Sequence, residues 1–296
     1  MHGMEEMVHT SPLRLYRLGK ANFDFSKRTY IMGVLNVTPD SFSDGGRFLD
    51  PVRAVDHALR MIDDGADILD IGGESTRPRG SVYGKGASAV DADEELRRII
   101  PVIDRLARRS EVPLSVDTWK SKVAAEAIDA GAVVVNDISA FSFDAAMPGT
   151  VGARNAAAIL MHTPAPPWEM PEHVAYDDVV EDVREFLQAS LTKGIQAGVD
   201  RMFIDPGLGF GKSLRENYQL IARLDRFSSL RYPVVVGISR KSFIGKVLDL
   251  PVESRLEGSL AGLTAAILHG ANVVRVHDVK ESRRAAAVAD ELVRSL

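Results

Sequence analysis

The sequence contains no cysteine. That excludes a disulfide framework, a thiolate nucleophile and any cysteine-ligated metal, and it suits a cytoplasmic protein. No apolar run approaches the roughly 20 residues that a membrane span requires. Residues 1–28 carry Glu5 and Glu6 early and no apolar stretch after them, so they do not read as a secretory signal. No segment rich in Pro, Gly or Ser splits the chain. Positive charge is not in excess either: 36 Lys and Arg face 41 Asp and Glu, and a net charge of −5 argues against a nucleic-acid surface. A few local cations could still grip a phosphate. A P-loop is also missing. Gly207-Leu208-Gly209-Phe210-Gly211-Lys212-Ser213 ends in Gly-Lys-Ser, but the motif's first glycine falls on Pro206. Those glycines read instead as a flexible turn beside Asp205, with Phe210 available to cover a ring.

What is present is a recurring unit. Gly65-Ala66-Asp67-Ile68-Leu69-Asp70, Gly131-Ala132-Val133-Val134-Val135-Asn136 and Gly270-Ala271-Asn272-Val273-Val274-Arg275 share one pattern, and Gly198 to Asp205 is a looser copy. In each, an amphipathic stretch precedes the glycine and a β-branched run follows it. Glycine ends a helix in the left-handed conformation, and the apolar run is a strand buried on both faces. The helices show the expected spacing: Val52, Val55, Leu59 and Ile62 behind Pro51, and Leu96, Ile99, Ile100, Ile103 and Leu106 behind Asp91, an N-cap with Glu94 three residues on. Strands are expected near 30–36, 67–72, 113–117, 132–137, 157–162, 201–205, 233–238 and 272–277. An open doubly wound sheet competes. Eight evenly spaced strands favour an α/β fold of the (β/α)8 TIM-barrel type, one domain over 30–296, with hydrophobic residues at 45% to fill its core. Residues 1–29 then form a short N-terminal extension, read as a hairpin over the barrel floor.

Barrel enzymes carry their chemistry at the C-terminal ends of the strands. Here almost every expected strand ends in a polar group: Asn36, Glu74, Asp117, Asn136 with Asp137, His162, Asp205, Lys241, and Arg275 with His277. Any one of these could be a helix cap or a loop hydrogen bond; the set converging on one mouth points to a site. Asp117, Asn136, Asp205 and Lys241 offer the acceptors and donors that a flat aminopyrimidinone ring needs. Arg275 and His277, two apart on one strand, share a side and suit a phosphate, with Arg77, Arg240 and Lys241 adding positive charge. The loop Asn36–Gly46 is dense in oxygen donors. Asn36, Asp40 and Asp44 could hold magnesium beside phosphates, or simply make Asx and proline turns. A second glycine-led loop runs Gly72-Gly73-Glu74-Ser75-Thr76-Arg77-Pro78. Trp119 and Trp168 read as packing residues, His57, His173 and His269 as core or surface, and Arg105, Arg108 and Arg109 as a solvated helix face.

Together these segments resemble the dihydropteroate synthases. The resemblance rests on Met32 to Gly46, Gly65 to Pro78, Ser115-Val116-Asp117-Thr118, Asn136-Asp137-Ile138-Ser139, Met161-His162, Asp205 to Lys212, Ser239 to Gly245, and Arg275-Val276-His277-Asp278. It implies condensation of 6-hydroxymethyl-7,8-dihydropterin diphosphate with 4-aminobenzoate, releasing diphosphate. It further implies that Asp117, Asn136, Asp205 and Lys241, with Gly237, hold the pterin between Met161 and Phe210. Arg275, His277 and Asn36 would hold the diphosphate, and Asn36 and Asp44 the magnesium. Thr76 and Arg77 would belong to the second loop, and Phe42, Pro78 and Ser242 would frame the aminobenzoate. Asp44, Lys241, Arg275 and His277 would be the catalytic set, in a homodimer. One departure is the longer, glycine-bearing stretch 79–90. A pterin-binding methyltransferase barrel would share the pterin residues but would not need the Asn36–Asp44 segment or the Arg275–His277 pair. An inactive pterin-binding paralogue would not need intact motifs.

Overall fold

A computed structural model describes residues 15–38, 51–75, 90–170 and 174–296. Eight parallel strands follow one another around a barrel: β3 (Tyr30–Asn36), β4 (Ile68–Gly72), β5 (Leu114–Asp117), β6 (Val134–Asp137), β7 (Ala157–Met161), β8 (Met202–Asp205), β9 (Val235–Gly237) and β10 (Val273–Val276), preceded by a hairpin of β1 (Leu15–Leu18) and β2 (Ala21–Asp24). β10 pairs with both β3 and β9, and a parallel bridge between Ile204 and Val234 closes the ring between β8 and β9. The expected TIM barrel is the observed fold, and every strand lies within two residues of its expected ends.

The glycine reading is physical fact here. Gly65, Gly131, Gly198 and Gly270, each at the turn between a helix and the next strand, have φ of 104°, 122°, 75° and 101°, a region that any side chain makes costly. Asp91 caps its helix as expected, its carboxylate accepting from Glu94 N at 2.8 Å. Among the described residues no helix is long and apolar enough to cross a membrane.

Strand alternation divides the interior into two apolar masses. Odd-even parity sends Ile31, Leu69, Val116, Val135, Leu160, Ile204 and Val274 outward against the helices. It sends Met32, Ile68, Val134, Ile159, Phe203, Val235 and Val273 into the lumen, where they form the floor layer. The hairpin stoppers that floor from below. Tyr16, Phe23 and Phe25 pack on Tyr30 and Phe203, with ring centroids 4.6–6.0 Å apart, and Tyr16 Oη donates to Met202 O at 2.8 Å. Above the floor the same lumen-facing parity changes from hydrocarbon to polar groups, and this is where the mouth begins.

Candidate active site

Two residues beyond each floor residue, the lumen carries Asp70, Asn136, Met161, Asp205, Gly237 and Arg275; one step higher stand Asn36, Gly72 and Asp117. Arg275 is the hub. Its Nε donates to Asp70 Oδ2 at 2.6 Å and its Nη2 to Asp117 Oδ2 at 2.7 Å, so one planar fork ties β10 to β4 and β5. Burial works against its charge, but Asp70 and Asp117 outweigh it and hold the guanidinium above its ordinary pKa. Neither contact uses Nη1. Asn136 Nδ2 donates to the same Asp70 Oδ2 at 3.0 Å. Asp117 Oδ1 is buried with no hydrogen-bond partner, and burial pushes this carboxyl up, to about 7, against the pull of Arg275. A buried acceptor without a donor is costly, and an N–H reaching this oxygen would relieve that cost.

Asp205 completes the acceptors. Its Oδ1 takes Gly207 N at 2.7 Å, and burial raises its pKa against the charge of Lys241. Lys241 crosses the mouth from the far side to donate to Leu208 O. On its way it passes over Gly237, where a Cβ would stand 3.5 Å from Lys241 Nζ, in ordinary contact. Burial lowers the pKa of Lys241 to about 8. Lys241 Nζ also lies 5.0 Å from the centroid of Phe210, and Phe210 packs with Met161 and Ile138 in a small apolar cluster flanked by Trp119 and Met170. The mouth therefore has an apolar wall facing acceptors on Asp117, Asn136 and Asp205, with two cations beside them. That suits a flat heterocycle with several N–H donors and an anionic substituent.

Not every polar strand end turns inward. Asp137 has the outward parity, and its carboxylate accepts from Ser139 N, Ser139 Oγ and Phe141 N to fold the following loop. His162 also faces the helices, its ring 4.8 Å from Phe186. Arg240, expected to add charge at the mouth, is spent on Asp278 at 2.9 and 2.5 Å. Ser242 begins the helix Ser242–Leu248. His277 lies just past β10, exposed, with Nδ1 3.2 Å from Ser239 Oγ. Asn36 ends β3, its Oδ1 3.8 Å from where a Gly72 Cβ would be. Asp40, Phe42, Asp44, Thr76, Arg77, Pro78 and His173 lie outside the described residues.

Sequence reasoning named Glu74 at a strand end but gave no role to Asp70, to Glu95 with Lys120, or to Lys212. Asp70 interrupts Ile68-Leu69-Asp70-Ile71; a charge inside an otherwise apolar buried strand was the available signal. Glu74 and Glu95 both bind Lys120, at 2.9 and 2.5 Å, and Val90 N donates to Glu74 Oε1 at 2.7 Å, which joins residues on both sides of the segment 76–89. Lys212, the lysine of the rejected P-loop, donates to Gly207 O and Phe210 O at 2.9 and 3.0 Å and meets His162 Nδ1 at 2.9 Å, clasping the turn that carries Phe210.

With Lys212 as an ammonium, His162 Nδ1 accepts and the neutral imidazole carries its proton on Nε2. Burial, then the Lys212 charge, pushes this imidazole far below its ordinary range. Below about pH 6.5 the unfolded chain takes up a proton that the folded chain refuses. The stability associated with His162 is thus present above that pH and lost as pH falls. His162→Gln keeps an acceptor for Lys212 and should flatten the decline in melting temperature between about pH 6.5 and 4. An unchanged slope in melts across that range would contradict the assignment.

Residues 32–277 match the family described as pterin binding enzyme. The dihydropteroate synthase of Bacillus subtilis (strain 168) is 43% identical over 97% of this chain and 94% of its own. The dihydropteroate synthase of Xanthomonas albilineans, solved with 4-aminobenzoic acid, superposes with a TM-score of 0.86 at 42% identity, covering 97% of this chain and all of that one. The enzyme of Clostridium difficile, solved in the presence of pteroic acid, gives 0.84 at 44% identity over 92% and 99%. With a match over most of its length to that family and to named relatives above 40% identity, the chain belongs to the pterin-binding enzyme family, among its dihydropteroate synthases.

Proposed function

We propose that this chain condenses 6-hydroxymethyl-7,8-dihydropterin diphosphate with 4-aminobenzoate to give 7,8-dihydropteroate and diphosphate. The observation that carries the reading is the unpartnered, buried Asp117 Oδ1 set beside Asn136 and Asp205, opposite the Met161–Phe210 wall, in a barrel of this family. The pterin ring lies against Met161 and Phe210 and gives its N–H donors to Asp117, Asn136 and Asp205. Arg275, through Nη1, and His277 meet the diphosphate. Phe42, Thr76, Arg77, Pro78 and Ser242 serve the aminobenzoate side.

Magnesium fits this arrangement in one way only. Among the described residues no group of three or more His, Cys, Asp or Glu could hold a metal, so these residues build no cage. Magnesium characteristically takes one or two protein oxygens and completes its shell with substrate phosphates and water. Asn36 and Asp44 would hold it. Bound there, it would neutralise charge on the diphosphate and make that group a better leaving group.

The protein's own contribution is electrostatic. Breaking the bond from the methylene carbon to the diphosphate oxygen sends the electron pair out with diphosphate and leaves a pterin-methyl cation. The lumen carboxylates Asp70, Asp117 and Asp205, held in place by Arg275, Asn136 and Gly207 N, are acceptors already oriented towards the ring on which that positive charge develops. The aniline nitrogen attacks the methylene, a C–N bond forms, and the nitrogen gives up a proton to solvent. No protein nucleophile is involved. Val247, Leu248, Leu250 and Val252 are exposed on and after the helix Ser242–Leu248, an apolar face in keeping with a homodimer, which sedimentation equilibrium can measure.

The deciding assay is diphosphate release with and without 4-aminobenzoate. Formation of 7,8-dihydropteroate together with diphosphate, only when both substrates and magnesium are present, is expected; diphosphate released with 4-aminobenzoate present but no dihydropteroate formed, or full activity in chelator, would sink the reading. Within it, Asp205→Ala should weaken binding of the bare pterin by about 1–3 kcal/mol, because ring donors lose a buried acceptor. Wild-type affinity for that variant by calorimetry would remove Asp205 from the site.

A further inference from the structure

Asp70 touches no position a substrate would need and has no exposure at all. Packing does not ask for it. Its lumen neighbours one layer below are Met32 and Ile68, and an aliphatic side chain there would continue the floor. A carboxylate in that place carries a desolvation cost, and one oxygen, Oδ1, has no partner. Its other oxygen receives two donors, Arg275 Nε and Asn136 Nδ2.

Which end of the Asn136 amide faces Asp70 is settled by chemistry. A carboxylate engaged by a guanidinium can only accept. Asn136 must therefore turn its NH2 towards Asp70 and its Oδ1 the other way. An amide without such a partner can rotate and offer a donor or an acceptor alike.

We infer that Asp70 is a positioning residue for substrate recognition: by holding one N–H of Asn136 Nδ2 it fixes which way that amide faces, so that Asn136 Oδ1 is kept as an acceptor beside Asp117 and Asp205. A ring that presents a donor opposite Asn136 Oδ1 is then favoured over one that presents an acceptor there, which would meet an unpaired oxygen. This rests on the pterin reading above. It adds a reason for specificity that lies one residue away from the ligand.

The test is binding of 6-hydroxymethylpterin without diphosphate, which leaves the anion contacts of Arg275 out of the measurement. Wild-type protein must bind it; if it does not, the proposed function fails and not the role of Asp70. D70N gives residue 136 a partner that can donate or accept, and affinity should fall by about tenfold or more. D70N/N136D moves the carboxylate across the pair. Position 70 then donates, position 136 can only accept, and the total charge is unchanged. Affinity should return to within about threefold of wild type. Wild-type affinity in D70N, or a double variant no better than D70N, would overturn the inference and leave Asp70 as a support for Arg275 alone. If D70N does not fold, the wild-type side-chain amide of Asn136 decides. Held on a buried carboxylate, its NH2 protons should exchange at least about tenfold more slowly than exposed asparagine amides, with or without pterin. Exchange at the exposed rate would overturn the inference equally.

Discussion

Arg275→Met should destabilise the fold by about 3–5 kcal/mol and abolish turnover. The loss comes less from the missing contacts than from what they leave behind. Asp70 is fully buried and Asp117 nearly so, and with the guanidinium gone two carboxylates face each other in a lumen with no counter-ion between them. The destabilisation should shrink on acidification, because protonating an unpaired buried carboxylate removes its desolvation cost. Arg275→Lys should recover little: Nε and Nη2 reach residues on two different strands, and a single ammonium cannot span both. Urea unfolding at neutral and acid pH measures each effect. A methionine variant within about 1 kcal/mol of wild type at neutral pH would show that the two carboxylates are not held by this arginine.

Gly207→Ala should be comparably severe, at about 4 kcal/mol or more. Gly207 has φ +69°, and a Cβ there would lie 1.9 Å from the backbone oxygen of His162. The obstacle is the end of β7, so no side-chain rotation relieves it. The turn must move, and it carries Phe210 and the acceptors of Lys212. Pterin affinity should therefore fall together with stability. Thermal melts and pterin titration on the same variant check this; a stable variant with weakened pterin binding, or the reverse, would separate the turn from the wall it supports. Gly198→Ala makes the contrast, since its φ of +75° is as strained but nothing lies within 4 Å of the added carbon. It should cost only about 1 kcal/mol.

The strands, their order and the helix-ending glycines were legible because each is dictated locally. A β-branched run buried on both faces and a glycine forced into the left-handed region leave the same mark wherever they occur. The acceptors Asp117, Asn136 and Asp205, and the Met161–Phe210 wall, come together in one mouth for the same reason: they sit at strand ends, and strand ends converge in a barrel. Parity was less legible. Asp137 and His162 are strand-end residues like Asn136 and Asp205, yet they face the helices. Which of two adjacent polar residues enters the lumen depends on register with the neighbouring strand, which a linear pattern does not show. Asp70 was missed because it lies inside a strand rather than at its end. Lys212 was passed over because its motif suggested phosphate, when its buried ammonium is already committed to two carbonyl oxygens and an imidazole.

The hairpin beneath the barrel sets an order on assembly. Tyr16 is bonded to Met202, 186 residues further along the chain, and its aromatic partner Phe203 belongs to β8. A chain made from its N-terminus presents this hairpin before the barrel, while most of what the hairpin rests on has still to be synthesised. A two-stranded ribbon is marginal by itself in water. It must wait, with Tyr16, Phe23 and Phe25 uncovered, until β8 has been placed. A segment made before the barrel is thus among the latest to be locked, and until then its rings are apolar surface open to misassembly.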